Sequence, residues 1–373
     1  MVNLFLIFMC GLPFGSFLFK NCDIWHSQGH FIQMGILILF GYSFFEKSKY
    51  AQPLNKPLGA FILWSGLATG YWWIKILSLT KAYPTKIFMP FFNILCLILF
   101  YKLIVEYLNK NSIEKILKWF KYTVIALLFY CVLQFFGLDE FFNALGTTDN
   151  NKLVIGIIGN PSHWGGFLAI VQPLFFSKNR QDILSLILLW GLILLTHSAA
   201  GMVGGLLVIL FWIAFKKRKL FPIAIGTSIA FVTTVFLFNK HYFSAGDRLD
   251  AWRTTFVLMK DKFITGLGLG TFGLKNTFSG VHWQHAHNEY YQLVFELGII
   301  GLILVLWCIY DYFKTFNSIK TDLTIKISSM FFGFCLISGV DFVSHLWVIS
   351  TLAMFLFASI YAIKNSEESC TLA

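Results

Sequence analysis

Long apolar runs alternate with short polar intervals along the chain, and the rhythm breaks once, for a polar stretch of about fifty residues over 240–288. In the first half the runs fall near 1–19, 31–46, 57–77, 87–106, 119–137 and 162–177. They resume near 183–196, 199–215, 220–238, 289–312, 326–343 and 346–363. Each approaches the roughly 20 residues that carry an α-helix across a bilayer. The pattern predicts an all-α polytopic membrane protein of about twelve transmembrane helices, a single integral domain over 1–373. The runs between 183 and 215 are short, which leaves the parity of the topology open there.

Composition strengthens that reading. Of 373 residues 57% are hydrophobic and 13% charged, against about 45–50% and 25% in soluble domains. Mean hydropathy is +0.70. Met1 to Phe19 shows neither a basic leader nor a small-residue cleavage site and reads as a first spanning helix. The net charge of +11 sits in short intervals and forms no basic face with interleaved aromatics, so nucleic acid is not an expected partner. The seven cysteines show no CxxC pair and no metal-ligand spacing.

Charge sets an orientation. With the N-terminus cytoplasmic, the inside intervals hold Lys47, Lys49 and Lys56, then Lys110–Lys118, then Lys178 and Arg180. They also hold Lys216-Lys217-Arg218-Lys219, Lys314, Lys320, Lys326 and, in the tail, Lys364. The positive-inside rule favours this arrangement. It places 240–288 on the outer face and both termini in the cytoplasm.

Two polar stretches are long enough to hold a site. Gly137 to Lys152 carries Asp139, Glu140 and Asp149 and leads into Gly159-Asn160-Pro161. The 240–288 stretch far exceeds a usual connection of about 4–6 residues, and its aromatics argue for order. It contains Gly246-Asp247-Arg248-Leu249-Asp250-Ala251-Trp252-Arg253, then Gly266-Leu267-Gly268-Leu269-Gly270, then His285-Ala286-His287-Asn288-Glu289. On a helix capped by Asp247, Arg248 shares a face with Trp252, Thr255 and Met259. Arg253 points about 140° away, so one arginine faces a given pocket, and Arg248 is the candidate. Arg253 suits a structural pairing with Asp250.

The glycine run lacks a P-loop ending and any strand–turn–helix frame. It is at most a turn whose amides approach an anion. His282, His285 and His287 lack a convincing further ligand, so no metal is expected. His287, at the entrance of the 289–312 helix, reads as a neutral base or hydrogen-bond donor. Trp252, Trp283 and Tyr290 offer flat faces to sugars, as interfacial belt aromatics also do.

These segments resemble the O-antigen ligase/O-antigen polymerase superfamily. The resemblance rests on Gly-Asp-Arg248-x-x-x-Trp252, Thr265-Gly-Leu-Gly-Leu-Gly-Thr-Phe272, Ala286-His287-Asn288-Glu289-Tyr290 and Glu296-Leu-Gly298-Ile-Ile-Gly301. Upstream, Gly159-Asn160-Pro161-x-x-x-Gly165 matches too, so the likeness covers roughly 155–305. It implies a GT-C-like glycosyltransferase of the bacterial inner membrane with a periplasmic catalytic loop over 240–288. Its donor would be an undecaprenyl-diphosphate-linked glycan and its acceptor a lipid or glycan such as lipid A-core, among membrane lipids, with no cofactor or metal.

The resemblance maps the catalytic roles to Arg248, for the diphosphate, and His287, for the acceptor hydroxyl. Trp252, Arg253, Asn288, His285, Asn160 and His197 are the candidate substrate-binding residues. One departure stands out: Thr196-His197-Ser198-Ala199-Ala200 lacks the arginine that the family often carries after Ser. His197, Lys152 or Arg253 would have to replace it. A repeat-unit polymerase is the sister alternative. A lipid-linked sugar transporter is the alternative of another class, and for it Asp341 and His345 are the residues to check.

Overall fold

The computed structural model describes residues 1–14, 24–46, 54–79, 84–139, 154–238, 246–275, 277–278, 281–282 and 285–371. The chain is helical almost throughout these. The first helices are α1 (Val2–Gly11), α2 (Ile24–Ser43), α3 (Lys56–Leu79), α4 (Pro84–Tyr107) and α5 (Lys110–Phe135). Then come α6 (Pro161–Val171), extended by a 3-10 turn Gln172–Phe175, α7 (Arg180–Leu195), α8 (Ala199–Lys216) and α9 (Phe221–Phe238). The long polar stretch holds α10 (Gly246–Met259), the one-turn α11 (Phe272–Lys275) and a two-residue antiparallel ribbon, β1 (Thr277–Phe278) against β2 (Val281–His282). The chain closes with α12 (Glu289–Ser318), α13 (Asp322–Ile337) and α14 (Trp347–Thr371).

Among the described residues five segments are long and apolar enough to cross a membrane: Met89–Tyr107, Lys110–Phe135, Ala199–Lys216, Glu289–Ser318 and Trp347–Ser369. Short polar side chains start several of these helices. Asn109 accepts from the Ser112 amide at 3.0 Å and so begins α5 nine residues before the expected run. Ser198 caps α8 through Gly201 N at 2.9 Å, and Thr321 forms a capping box with Thr324 at the start of α13. Helix α13 stops at Ile337, short of the expected 343, because Ser338 to Val340 turn the chain out of it. That turn leaves Asp341 outside any helix.

Two hydrophobic clusters hold the bundle and its polar cover together. The main one centres on fully buried Trp164, Phe167, Phe120 and Phe355, with Trp164 and Phe167 stacked at 5.0 Å. Around it α6 lies tight against α8, where a Cβ on Gly201 would sit 2.6 Å from the Gly165 backbone. Only small residues permit such an approach, as is usual between membrane helices. The second cluster, Trp72, Met259, Leu267, Phe272, Val294 and Phe295, seats the polar stretch on α3 and α12.

The glycine run is part of that seat. Leu267 N donates to Phe295 O at 2.9 Å, Gly268 N to Glu296 O at 2.8 Å, and Ile299 N to Phe263 O at 2.9 Å. Here α12 breaks, with Gly298 at φ 71° and ψ −177°. Those carbonyls are released from the helix ladder and taken up by the run. The amides of Leu267 and Gly268 are thus committed to α12 rather than left for an anion.

Helix ends sort to two faces. At one, Lys216 pairs with Asp322 and Lys110 with Glu367 at 3.3 Å. At the other, Ser198 Oγ donates to Ser162 O at 3.1 Å and Glu289 N to Ser338 O at 2.8 Å. Helices α8 and α13 connect the two faces. The candidate chemistry lies at the second.

Candidate active site

Asp341 is the centre of the cluster at this second face, 1% exposed. Its Oδ2 lies 2.9 Å from Nδ1 of His163 and takes the Ser162 hydroxyl at 3.3 Å. Its Oδ1 accepts from the Phe342 amide at 2.9 Å and lies 3.4 Å from Nδ1 of His287. Burial alone would raise its pKa, but hydrogen bonds from His163 and His287, the field of His163 and the Phe342 amide outweigh it. The carboxyl is held well below the usual range, so it is an anion at neutral pH.

The positions of these groups follow from local folding. Asn160 caps α6, accepting from Ser162 N at 2.9 Å and His163 N at 3.3 Å. With Pro161 in the first turn, this fixes the first turn of α6 under Asp341. The preceding Gly156 turn is clamped by Gln134, whose Oε1 takes Gly156 N at 2.9 Å and whose Nε2 donates to Gly156 O at 3.0 Å. Asn288 caps α12 in the same way, through Tyr291 N at 3.0 Å. Both asparagines act on helix ends here.

His287 sits just before that cap at φ 51°. Among the described residues, His197 at φ 54° is the other non-glycine with a positive φ. Left-handed backbone at a non-glycine residue is uncommon and gathers at functional sites. The His287 ring meets the edge of Phe342 at 4.8 Å, and its side chain is 25% exposed. It therefore touches a buried anion on one side while remaining reachable. His197 lies exposed in the turn between α7 and α8, beside Ser198, which bonds the first turn of α6.

A second polar layer backs the first. His285 stacks on Phe342 at 4.6 Å and meets His345 at 4.3 Å. Burial, with His345 and His287 beside it, drives its pKa down to about 2, so it stays neutral. His345 Nδ1 is 3.1 Å from Glu289, whose charge outweighs burial and raises the histidine's pKa. Gln292 accepts from Ala286 N at 3.1 Å and, through Nε2, reaches Glu296 at 3.3 Å and His345 Nε2 at 3.1 Å. This chain of bonds fixes the backbone just before His287.

Trp252 ties α10 to the same segment. Its Nε1 donates to Ala286 O at 2.6 Å, and its own carbonyl accepts from Tyr291 OH at 2.6 Å. Arg253, on the same helix, is exposed. Arg248 belongs to the first turn of α10, one turn before Trp252, and its side chain lies outside the described residues, as do Lys152 and Trp283. Asp247 is inside the helix, which begins at Gly246, and not at its cap.

A cavity of about 380 Å3 opens beside this cluster. Glu289, Gln292 and His345 line its polar end, and Ile309, Phe331 and Phe357 its apolar depth among α3, α4, α12, α13 and α14. Among the described residues no group of three or more His, Cys, Asp or Glu is disposed to hold a metal ion.

The geometry offers a reachable imidazole, His287, against the buried carboxylate of Asp341, next to the polar residues Glu289, Gln292 and His345 that line an apolar slot. A family model described as O-Antigen ligase matches residues 184–306, from within α7 to within α12. Two curated relatives, from Rickettsia felis and Rickettsia conorii, are both described as "Putative polysaccharide ligase". The first is 28% identical over 219 residues, covering 50% of this chain and 52% of that protein. The second is 27% identical over 218 residues, with the same coverage. The chain thus spans about half the length of the curated relatives it matches.

The matched residues include His287 and Trp252, but Asp341, which touches His287, and His163, which shares Asp341, lie on either side of them. His163 precedes the matched residues and Asp341 follows them. In sequence Asp341 and His345 stand out only as ionisable residues a transporter would use, and His163 does not stand out at all. The available signal was the Asn160-Pro161 cap, which sets His163 in the first turn of a helix. Nothing local in sequence joins it to a residue 178 positions away.

Proposed function

We propose that this chain is a membrane glycosyltransferase of the ligase type, which moves a glycan from a polyprenyl diphosphate to the hydroxyl of an acceptor sugar. In a bacterium the donor lipid would be undecaprenyl diphosphate and the acceptor a lipid-borne glycan of the lipid A-core kind. The observation that carries this reading is the contact of His287 with buried Asp341 at 3.4 Å, with His287 inside the residues matched by the O-Antigen ligase model and an apolar slot lined by neighbouring Glu289, Gln292 and His345.

The chemistry follows from those groups. Asp341 orients His287 and stabilises the imidazolium as it forms, the role a buried carboxylate plays behind any catalytic histidine. The imidazole takes the acceptor's proton as its oxygen bonds to the anomeric carbon. The bond from that carbon to the diphosphate oxygen breaks, and the diphosphate leaves with the electron pair. Negative charge grows on the leaving group, and a guanidinium matches its oxygens with two parallel hydrogen bonds. Arg248 is assigned that role: the family resemblance supports it, and so does its place one turn from Trp252, whose indole is bonded beside His287. The slot would take the start of the lipid chain.

The same reading makes the bundle GT-C-like, with twelve passes. The alternation of helix ends between two faces and the gathering of lysines at one of them support it. The active loop, 240–288, then faces the periplasm across the inner membrane, and both termini are cytoplasmic.

In-vitro transfer with the purified chain, a defined polyprenyl-diphosphate glycan and an acceptor tests the proposal. A single transfer to the acceptor is expected. A ladder of lengthening glycans that stays on polyprenyl diphosphate would replace ligase with polymerase, and no transfer of either kind would reject both. Arg248→Ala is expected to abolish transfer while the protein remains in the membrane; unchanged transfer would remove the diphosphate role.

A further inference from the structure

A second cavity, of about 910 Å3, lies at the opposite face, among α5, the turn after α6, α7, α8 and the start of α13. Six lysines line it: Lys118, Lys121, Lys178, Lys216, Lys217 and Lys326. Glu114 and Asp322 are the carboxylates on its wall. Lys121 is paired with Asp182 and Lys216 with Asp322. The side chains of Lys118, Lys178, Lys217 and Lys326 have no hydrogen bond or ion pair with a described residue. Lys326 is also half-buried.

Cations in excess around a partly enclosed space repel one another, and Lys326, unlike exposed Lys118, Lys178 and Lys217, also loses hydration, a cost that an anion would offset. The rest of the wall is apolar, with Leu174, Ile183, Ile209 and Trp212. A free inorganic anion gains nothing from that surface, whereas a molecule with a charged head and a hydrocarbon tail uses both halves. The cavity also sits at the ends of two membrane-crossing segments, Lys110–Phe135 and Ala199–Lys216, where headgroups lie.

We propose that this cavity is a binding site for the phosphate headgroup of an anionic phospholipid, with the lysines on the phosphate and an acyl chain along the apolar wall. It is separated by the length of α13 from the Asp341 cluster. At about 1.5 Å per residue that is roughly 24 Å, so it is not part of the sugar-transfer site. The inference stands whether or not the transferase reading does.

Lys118 and Lys326 are the residues to change, since neither holds an internal ion pair. The full chain in detergent is titrated with phosphatidylglycerol, with phosphatidylcholine and with inorganic phosphate, and bound lipid is counted by native mass spectrometry. The expected result is selective retention of phosphatidylglycerol, weakened about 5-fold for each lysine removed in Lys118→Gln and Lys326→Gln. Lys118→Arg and Lys326→Arg should retain it, which separates loss of charge from loss of fold. Equal retention in wild type and the glutamine variants overturns the site. Displacement of the lipid by millimolar inorganic phosphate, or equal retention of phosphatidylcholine, overturns the anionic-lipid assignment.

Discussion

His287 lies against a carboxylate that the chain brings to it from another helix end. Asp341, anionic and 1% exposed, is shared between His287 and His163. Asp341→Asn keeps the shape and the Phe342 amide bond but removes the charge that would stabilise an imidazolium. Turnover in transfer assays is expected to fall roughly 10²–10⁴-fold, with donor KM little changed. Unchanged turnover would show that His287 works without it. His285 makes a different prediction. Its native pKa of about 2 lies below the usual 6.5, so the unfolded chain binds the extra proton. Stability contributed by the neutral ring is complete above pH 6.5 and is lost as the pH falls, by up to ~2 kcal/mol at pH 5. His345 runs the other way: its raised pKa gives stability present below 6.5 and lost as the pH rises through its native value. His285→Phe retains a ring against Phe342 and removes the proton linkage. Thermal melts at pH 7.5 and pH 5 should therefore differ less in this variant than in wild type.

How much of this was legible depends on distance along the chain. His287 and Trp252 lie in a polar stretch whose very length marks it, and a resemblance could be read from residues a few positions apart. The Asp341 contacts come from three segments joined only by packing, and no periodicity encodes them. The asparagines show the reverse case: Asn160 and Asn288 stood out as substrate candidates, but each is occupied in capping a helix.

Among the elements, the break in α12 decides where His287 stands. The glycine run occupies the carbonyls released at Gly298, and the second cluster closes over it. A Cβ at Gly298 would overlap the Ile264 carbonyl at a φ of 71°, which side chains adopt poorly. Gly298→Ala should lose roughly 2–4 kcal/mol from left-handed strain and overpacking together. It should also open 260–275 to limited proteolysis, and transfer should fall although no substituted atom touches His287. Gly226→Ala in α9 meets nothing within 4 Å and is the control, expected to be neutral. Equal behaviour of the two would mean that the run is an independent loop. The sequence of the run shows its amides but not their acceptors, which is why an anion-binding role is open there and closed in the fold. The helix positions themselves were legible from apolar run length, whereas the end of α13 was missed: Ser338 to Val340 carry the chain off the helix inside what reads as one continuous segment.

Across the whole molecule, two unlike faces are held apart by helices that run between them. One face gathers a buried anion with two histidines against it, His163 and His287, and His285 in the layer behind. The other gathers lysines about a partly apolar cavity. If the chain inserts by the positive-inside rule, the lysine face is cytoplasmic and the histidine face meets the compartment where a lipid-borne glycan would be presented. Val340 and Lys219 are exposed markers of the two faces. In a background with the native cysteines replaced, Val340→Cys should react with a membrane-impermeant thiol reagent in spheroplasts. Lys219→Cys should react only after permeabilisation. The opposite pattern would put the Asp341 cluster in the cytoplasm. A donor there would need no prior transfer across the bilayer, and the proposal of an outer-face ligase would have to be abandoned even if the chemistry at His287 were right.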